Sequence, residues 1–455
     1  MATRTRLLLV ATLVAAAMLP VAGTAVADGD HNPPGQGQPD PVLVWNETAT
    51  SAAIACGLSG APPIESRMYA MMHIAIHDAV NAIRVESAPY AYRPHRLSPN
   101  ASPTAAVAAA GWNVLKVGLA GCPAPGTAES AYTAMLASVT DSAARAAGQA
   151  LGEASAAAIQ VKREKDHAAL QISSPTDSKF PQGTKPGEWR FTPNADGSDV
   201  VGFAFLPKWG SVTPFTLRSS DQFAPSDPYR LGSRQYADDV NEIKSLGAKT
   251  GSTRNAEQTE IAVFWVGSSP YQWNAIARTV AGQSRQMDLW DNARLFGLLN
   301  MAMADGYISS FEVKYDELFW RPVTAIRLAD TDGNDRTQED KKWLPLVETP
   351  PIPDYDSAHA VEGAAAAAVL RSVFGDRTSF SNCSPWLPAG NSCAGGTGGQ
   401  GVVRTFTSFS QAAAENGVSR IYVGFHFRKA VDDGLRHGQK IGNRAVTTAM
   451  QPAHR

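Results

Sequence analysis

"LWDNARLFGLLNMAMADGYISSFEVKYDELFW", residues 289–320, decides the fold class of this chain. Phe296, Leu299, Met303, Tyr307, Phe311 and Tyr315 recur every three or four positions and no proline interrupts them, so the stretch reads as a long helix. The same spacing appears in "RMYAMMHIAIHDAVNAI" from Arg67, and in the Ala-rich runs "TAAVAAAGWNVLKVGLA" and "SAARAAGQALGEASAAAIQVKREKDHAAL". It returns in "AEQTEIAVFWV", "QWNAIARTVAGQS", "SAHAVEGAAAAAVLRSVFG" and "SRIYVGFHFRKAVDDGLRHGQKIGNRAV". Strand signals are scarce and no repeat of fixed period is present. The expectation is an all-α fold of helical bundles, two packed four-helix-bundle-like halves joined by long loops.

The ends and joints follow from composition. Arg4 and Arg6 precede the apolar run "LLLVATLVAAAMLPVAG", and Ala25-Val26-Ala27 supplies a small-x-small cleavage pattern, so residues 1–27 read as a secretory signal peptide. No later stretch is long and apolar enough to span a bilayer, which points to a soluble, exported product. Residues 28–60 read as a flexible linker and N-terminal segment, 61–200 as an N-terminal helical half, 201–255 as a loop-rich excursion and 256–450 as a catalytic helical bundle. A short hairpin is conceivable within the turn-rich stretch 171–255. A formal net charge of −2 gives no general attraction to nucleic acid or anionic membranes, so any positive site must be local. The four cysteines suit an oxidising compartment, with Cys383 and Cys393 close together in one loop and Cys56 and Cys122 as the remaining pair.

Three segments concentrate chemistry. "KYDELFWRP" carries Lys314 and Arg321, seven apart and so two turns along one helix face, with Phe319 and Trp320 crowding the arginine. An unpaired guanidinium in such surroundings is costly. In "TPPIPDYDSAHAVEGAAAAAVL" the prolines keep the chain extended until Ser357-Ala358-His359 opens a helix, whose free N–H groups and dipole form an anion site. "SRIYVGFHFRKAVDDG" sets Arg420 and His426 six residues apart, with Arg428 and Lys429 behind them. Each segment alone also fits a solvated basic face or a capped helix.

Together they resemble the three-part signature of the vanadium-dependent haloperoxidases, shared with the type 2 phosphatidic acid phosphatase superfamily. "MHIAIHDAVNAI", "AVFWVGSSPYQWNAIA", "KYDELFWRPVTAIR" and "WLPLVETPPIPDYDSAHA" look like the secreted bacterial branch of the haloperoxidase side, so the likeness covers roughly residues 60 to 450. The resemblance implies vanadate as cofactor, with hydrogen peroxide and halide as partners. His426 would bind vanadium through its ring, while Lys314, Arg321 and Arg420 would neutralise vanadate oxygens. Ser357 would hydrogen-bond one oxygen and the backbone N–H of Ala358 another, while His359 would handle peroxide protons and Lys314 would polarise the bound peroxide, the two acting as catalytic residues. The alternative is an exported acid phosphatase cleaving a phosphate ester, with His426 as nucleophile and His359 as proton donor; a third is a catalytically weak oxyanion-binding relative. Vanadate and phosphate are isosteric oxyanions, so one cluster of cations suits either.

The chain departs from the family pattern twice. The family's Pro-Ser-Gly-His is Asp356-Ser357-Ala358-His359 here, which puts a methyl group and a negative charge beside the anion site. Ala430 stands four residues after His426, where the superfamily commonly has an acid that fixes the ring tautomer. Asp432 and Asp433 fall on other helix faces, leaving a backbone carbonyl for that task. Three features are read as structural: His73 and His77 as core residues, "DTDGNDRTQED" from Asp330 as a polar loop, and Trp265, Trp273 and Trp320 as core or pocket walls.

Overall fold

A computed structural model describes residues 39–122, 126–171, 180–198, 202, 204–384 and 402–453. The expected leader peptide and the Cys383–Cys393 pairing, through Cys393, fall outside the described residues. Thirteen α-helices are found among the described residues. The first five are α1 (Pro41–Ala55), α2 (Pro62–Asn81), α3 (Pro103–Gly118), α4 (Gly126–Ala137) and α5 (Ser142–Arg163). Then come α6 (Arg234–Leu246), α7 (Ala256–Phe264), α8 (Ser269–Gln283), α9 (Leu289–Glu317) and α10 (Pro322–Arg327). The last three are α11 (Ala358–Phe374), α12 (Phe409–Tyr422) and α13 (Arg428–Thr448).

Helix α9 is the axis of the fold. Asp288 caps it by accepting the N–H groups of Trp290 and Asp291, and the Asp291 carboxylate returns to the Asp288 N–H. From Leu295 to Phe311 its residues are buried on every side, as a central helix requires. Helix α2 lies against one side of it and α11 against another. Helices α3 and α5 pack on α2, and α12 and α13 pack on α11. One apolar core runs through both groups, joining Trp45, Met72 and Ile159 to Phe296, Leu299, Ala365 and Ile441. A smaller cluster around Trp320, Tyr355 and Phe427 is separate from it.

The α11–α13 contact sets the geometry that matters later. Helix α11 is Ala-rich, and α13 offers a glycine every fourth residue. A Cβ at Gly438 would overlap the Val361 carbonyl, and one at Gly442 would overlap that of Ala365. The two backbones therefore touch, which locks the N-terminus of α11 beside the start of α13.

Four local expectations are corrected. The N-terminal segment that follows the linker, where no helix was expected, holds α1: Asp40 caps it, Pro41 opens it, and Trp45 and Ala49 are buried. Helix α6 lies in the expected loop-rich excursion, where Tyr236, Val240 and Ile243 are the apolar face of an otherwise polar segment. The hairpin found is β1 (Phe380–Cys383) with β2 (Val403–Phe406), antiparallel, and the described residues of 171–255 form none. Finally, Lys314 and Arg321 do not share a helix face. Leu318 takes a left-handed φ of 47° and ends α9, and Arg321 is held extended by the following Pro322 at the start of α10. The Cys56–Cys122 disulfide forms as expected.

Candidate functional site

Lys314 ends in the last turn of α9 with its side chain fully buried. Its Nζ donates to the carbonyls of Pro353 (3.0 Å), Asp354 (2.8 Å) and Asp356, so it gathers the loop that leads into α11. An ammonium has three hydrogens, and this loop receives them. Burial and the neighbouring Arg321 push its pKa down to about 7, against the pull of Asp356 and Asp354.

Arg321 is also fully buried, anchored by Nε to the Ile352 carbonyl (2.7 Å) and by Nη1 to that of Phe425 (2.9 Å). The same Nη1 lies 3.0 Å from His426 Nε2 and 3.4 Å from Nδ1, while Nη2 has no hydrogen-bond partner. Arg420, in the last turn of α12, donates to Ser419 Oγ (3.0 Å) and to the Trp265 carbonyl (2.7 Å). Burial lowers Arg321 to about 10 and Arg420 to about 9. The turn from Arg420 to His426 passes through Gly424 at φ 87°, where a Cβ would also strike Gly247 and Pro345. The Phe425 and His426 N–H groups both return to the Arg420 carbonyl, which fixes the spacing of the two site residues.

Ser357 occupies the N-cap of α11, yet its hydroxyl caps nothing and is buried without a partner. Its N–H donates to the Ala430 carbonyl at 3.0 Å, a contact available because α11 and α13 are in touch. Ala358 is the first helical residue and has a negative φ, so the methyl that replaces the family's glycine adds no backbone strain. The charge of Asp356 is turned away: its carboxylate accepts from Ser310 Oγ (2.7 Å) and pairs with His437 Nδ1 (2.8 Å) in the core.

His359, half-buried in the first turn of α11, has Nε2 3.3 Å from the Gly267 carbonyl. Burial, then Arg420, hold its pKa well below the usual value. Burial also depresses His426, followed by Arg321, Lys314 and Arg420. Both imidazoles are therefore neutral. His426 Nδ1 lies 3.0 Å from Asp354 Oδ1, a residue the motif reading passed over. No periodicity marks Asp354; the only clue was a carboxylate three residues before a serine that opens a helix.

The three segments thus meet. Three buried cations, two imidazoles with lowered pKa, a helix N-terminus and two unpartnered donors (Arg321 Nη2 and Ser357 Oγ) gather around one carboxylate, Asp354, whose oxygens also have no hydrogen-bond partner. Asp354 is itself pushed up to about 7 by burial, although Arg321 and Lys314 oppose this. A bound oxyanion would satisfy the free donors and restore the cations.

The family profile described as the VCPO second helical-bundle domain matches residues 294–455, which contain Lys314, Arg321, Asp354, Ser357, His359, Arg420 and His426. The vanadium chloroperoxidase of Curvularia inaequalis is 25% identical over 488 residues, covering 85% of this chain and 78% of that protein. The chain is thus similar to vanadium-dependent haloperoxidases over most of its length. A solved bacterial vanadium-dependent iodoperoxidase superposes with a TM-score of 0.75 at 26% identity, covering 93% of this chain and 100% of the other. A holo-type bacterial vanadium-dependent chloroperoxidase shares the fold at a TM-score of 0.68 and 16% identity, over 88% and 94% of the two chains. Within this fold, the features read as structural in the sequence have structural partners. His73 Nε2 meets Asn46 at 2.8 Å, and burial lowers its pKa to about 3. His77 bridges Asp78 and Ser87. Asp332, in the acidic loop, accepts the Asn334 N–H and the Thr337 hydroxyl. Trp265, Trp273 and Trp320 are fully buried, and the Trp265 carbonyl holds Arg420.

Proposed function

We propose that this haloperoxidase binds vanadate in the Lys314–Arg321–Arg420–His426 pocket and uses hydrogen peroxide to oxidise halide: H2O2, halide and one proton give hypohalous acid and water. The observation that supports it most is that Arg321 Nη2 and Ser357 Oγ, two buried donors without a hydrogen-bond partner, lie in one site with His426, whose pKa burial and the neighbouring cations depress. Vanadate, when bound, would supply a Lewis-acidic centre that activates peroxide without changing oxidation state. The chain's residues do the rest. His426 offers the lone pair of Nε2. Arg321, Arg420, Ser357 Oγ–H and the Ala358 N–H neutralise and orient oxygens around it. Lys314 adds charge while holding the 353–356 loop by its carbonyls. His359, neutral and half-buried, accepts a peroxide proton at its ring nitrogen and can return it to the departing oxygen.

The same pocket would hold phosphate, so a phosphatase is the chemical alternative. Apo-protein loaded with vanadate should halogenate a reporter with chloride, bromide or iodide and peroxide, and should show little phosphate-ester hydrolysis without it. Efficient hydrolysis and no peroxide-dependent halogenation would overturn the reading. Residues 256–450 form the catalytic part of the proposal, supported by the profile match to 294–455. Export is part of the same proposal: it rests on the leader-like residues 1–27 and on the Cys56–Cys122 disulfide. N-terminal sequencing of the mature protein should begin near Asp28.

A further inference from the structure

We propose that Asp354 is the positioning residue for His426, taking from another segment the task that an acid four residues after the histidine performs elsewhere in the superfamily. This rests on the reading of His426 as the vanadium ligand. At that fourth position stands Ala430, fully buried, with its carbonyl already taken by the Ser357 N–H. The backbone carbonyl expected to hold the ring is therefore not this one. Asp433 is no substitute, since Tyr355, Lys429 and Arg436 occupy its carboxylate.

Two contacts of the ring point to its tautomer. His426 Nε2 faces Arg321 Nη1 at 3.0 Å. A guanidinium nitrogen can only donate, so Nε2 must carry the lone pair. The proton then sits on Nδ1, which faces Asp354 Oδ1 at 3.0 Å, nearer than the 3.4 Å from Nδ1 to Arg321. A proton there gives the unpartnered Asp354 carboxylate a donor once the ring turns to align it, and leaves the Nε2 lone pair for ligation. Asp354 is held for this purpose from three sides. Its N–H donates to the Phe319 carbonyl (2.9 Å), its own carbonyl accepts from Lys314 (2.8 Å), and its Oδ1 lies 3.9 Å from Arg321 Nη1. The backbone of Asp354 thus fixes the loop before α11, while its carboxylate lies between Arg321 at the start of α10 and the His426 ring.

The test uses the full chain, with Asp354→Ala and Asp354→Asn. Nitrogen NMR of ¹⁵N-histidine-labelled apo-protein should show His426 as the Nδ1–H tautomer in wild type and in D354N, whose amide oxygen still accepts. In D354A the tautomers should mix. By titration calorimetry D354A should bind vanadate about 10–100-fold more weakly, the usual loss for a partner behind a metal ligand. Orthophosphate should bind D354A as tightly as wild type or tighter, because a negative charge has left a cationic pocket. A general loss of folding would weaken both anions alike, so the opposed signs separate positioning from damage. An Nε2–H tautomer in wild type, which needs no variant to observe, would overturn the inference, as would unchanged vanadate affinity in D354A. His426→Ala separates the two layers. If it leaves vanadate affinity intact, the ligand reading fails; if it abolishes binding while D354A changes nothing, only the role of Asp354 fails.

Discussion

Ser357→Ala should make the vanadate-free protein more stable and its anion site weaker. The Ser357 hydroxyl is buried and has no partner, although it sits at a helix N-cap, where serine ordinarily satisfies a backbone N–H. Burying a hydroxyl without a hydrogen bond costs on the order of 1–3 kcal/mol, so deleting it should return about 1 kcal/mol after allowing for the small void. With vanadate bound, the same hydroxyl would donate to a charged oxygen, a bond worth roughly 1.5–3 kcal/mol. A loss of about 2 kcal/mol raises Kd about 30-fold. At a ligand concentration of 100 times the wild-type Kd, linkage stabilises wild type by about 2.7 kcal/mol but the variant by only about 0.9 kcal/mol. Differential scanning calorimetry with and without vanadate reads both numbers. Tm of the apo-variant should rise by a degree or two, while its vanadate-induced shift shrinks to about a third. An apo-variant less stable than wild type, or a vanadate shift of undiminished size, would refute the account of Ser357 as a donor kept free for the anion.

The two site histidines should fail differently: His359→Ala should lose about 10²–10⁴-fold in halogenation turnover while retaining vanadate, whereas His426→Ala should lose vanadate binding itself, both checked by titration and steady-state kinetics. Gly438→Ala puts a Cβ into the Val361 carbonyl and should destabilise by at least the ~1–3 kcal/mol of ordinary overpacking, seen as a lower denaturant midpoint. Glu65 is fully buried, with Tyr69 and Ser268 donating to its carboxyl, and burial raises its pKa to about 7. The folded state therefore holds a proton that the unfolded chain releases near 4.5, so stability from this group is complete below 4.5 and declines as pH rises to about 7. Glu65→Gln should flatten that part of the stability–pH curve by up to ~1.4 kcal/mol per pH unit, as measured by urea melts from pH 4.5 to 7.

Local pattern carried the helices whose apolar residues dominate, because periodicity of that kind needs no knowledge of neighbours: α2, α5, α9 and α11 are all where spacing placed them. It failed at α6, whose three apolar residues are hidden among polar ones, and at α1, where Pro/Gly-rich residues before Asp40 masked a capped helix. The residue types of the site were equally legible, since an oxyanion pocket must draw on arginine, lysine, histidine and a helix N-terminus, and each leaves a mark in its own segment. Where those side chains point was not. Lys314 and Arg321 were expected along one helix, but a left-handed Leu318 and Pro322 separate them, so that one gathers a loop and the other reaches His426. Asp356, a threat to the anion when read in line, is harmless because His437, 81 residues away in sequence, claims it in the core. Asp354 reaches His426 only because α11 and α13 touch through alanine and glycine. Hydrophobic period is a property of neighbouring residues; the direction of a buried polar side chain depends on which distant partner the packed helices bring to it, and that was decided by the tertiary structure alone.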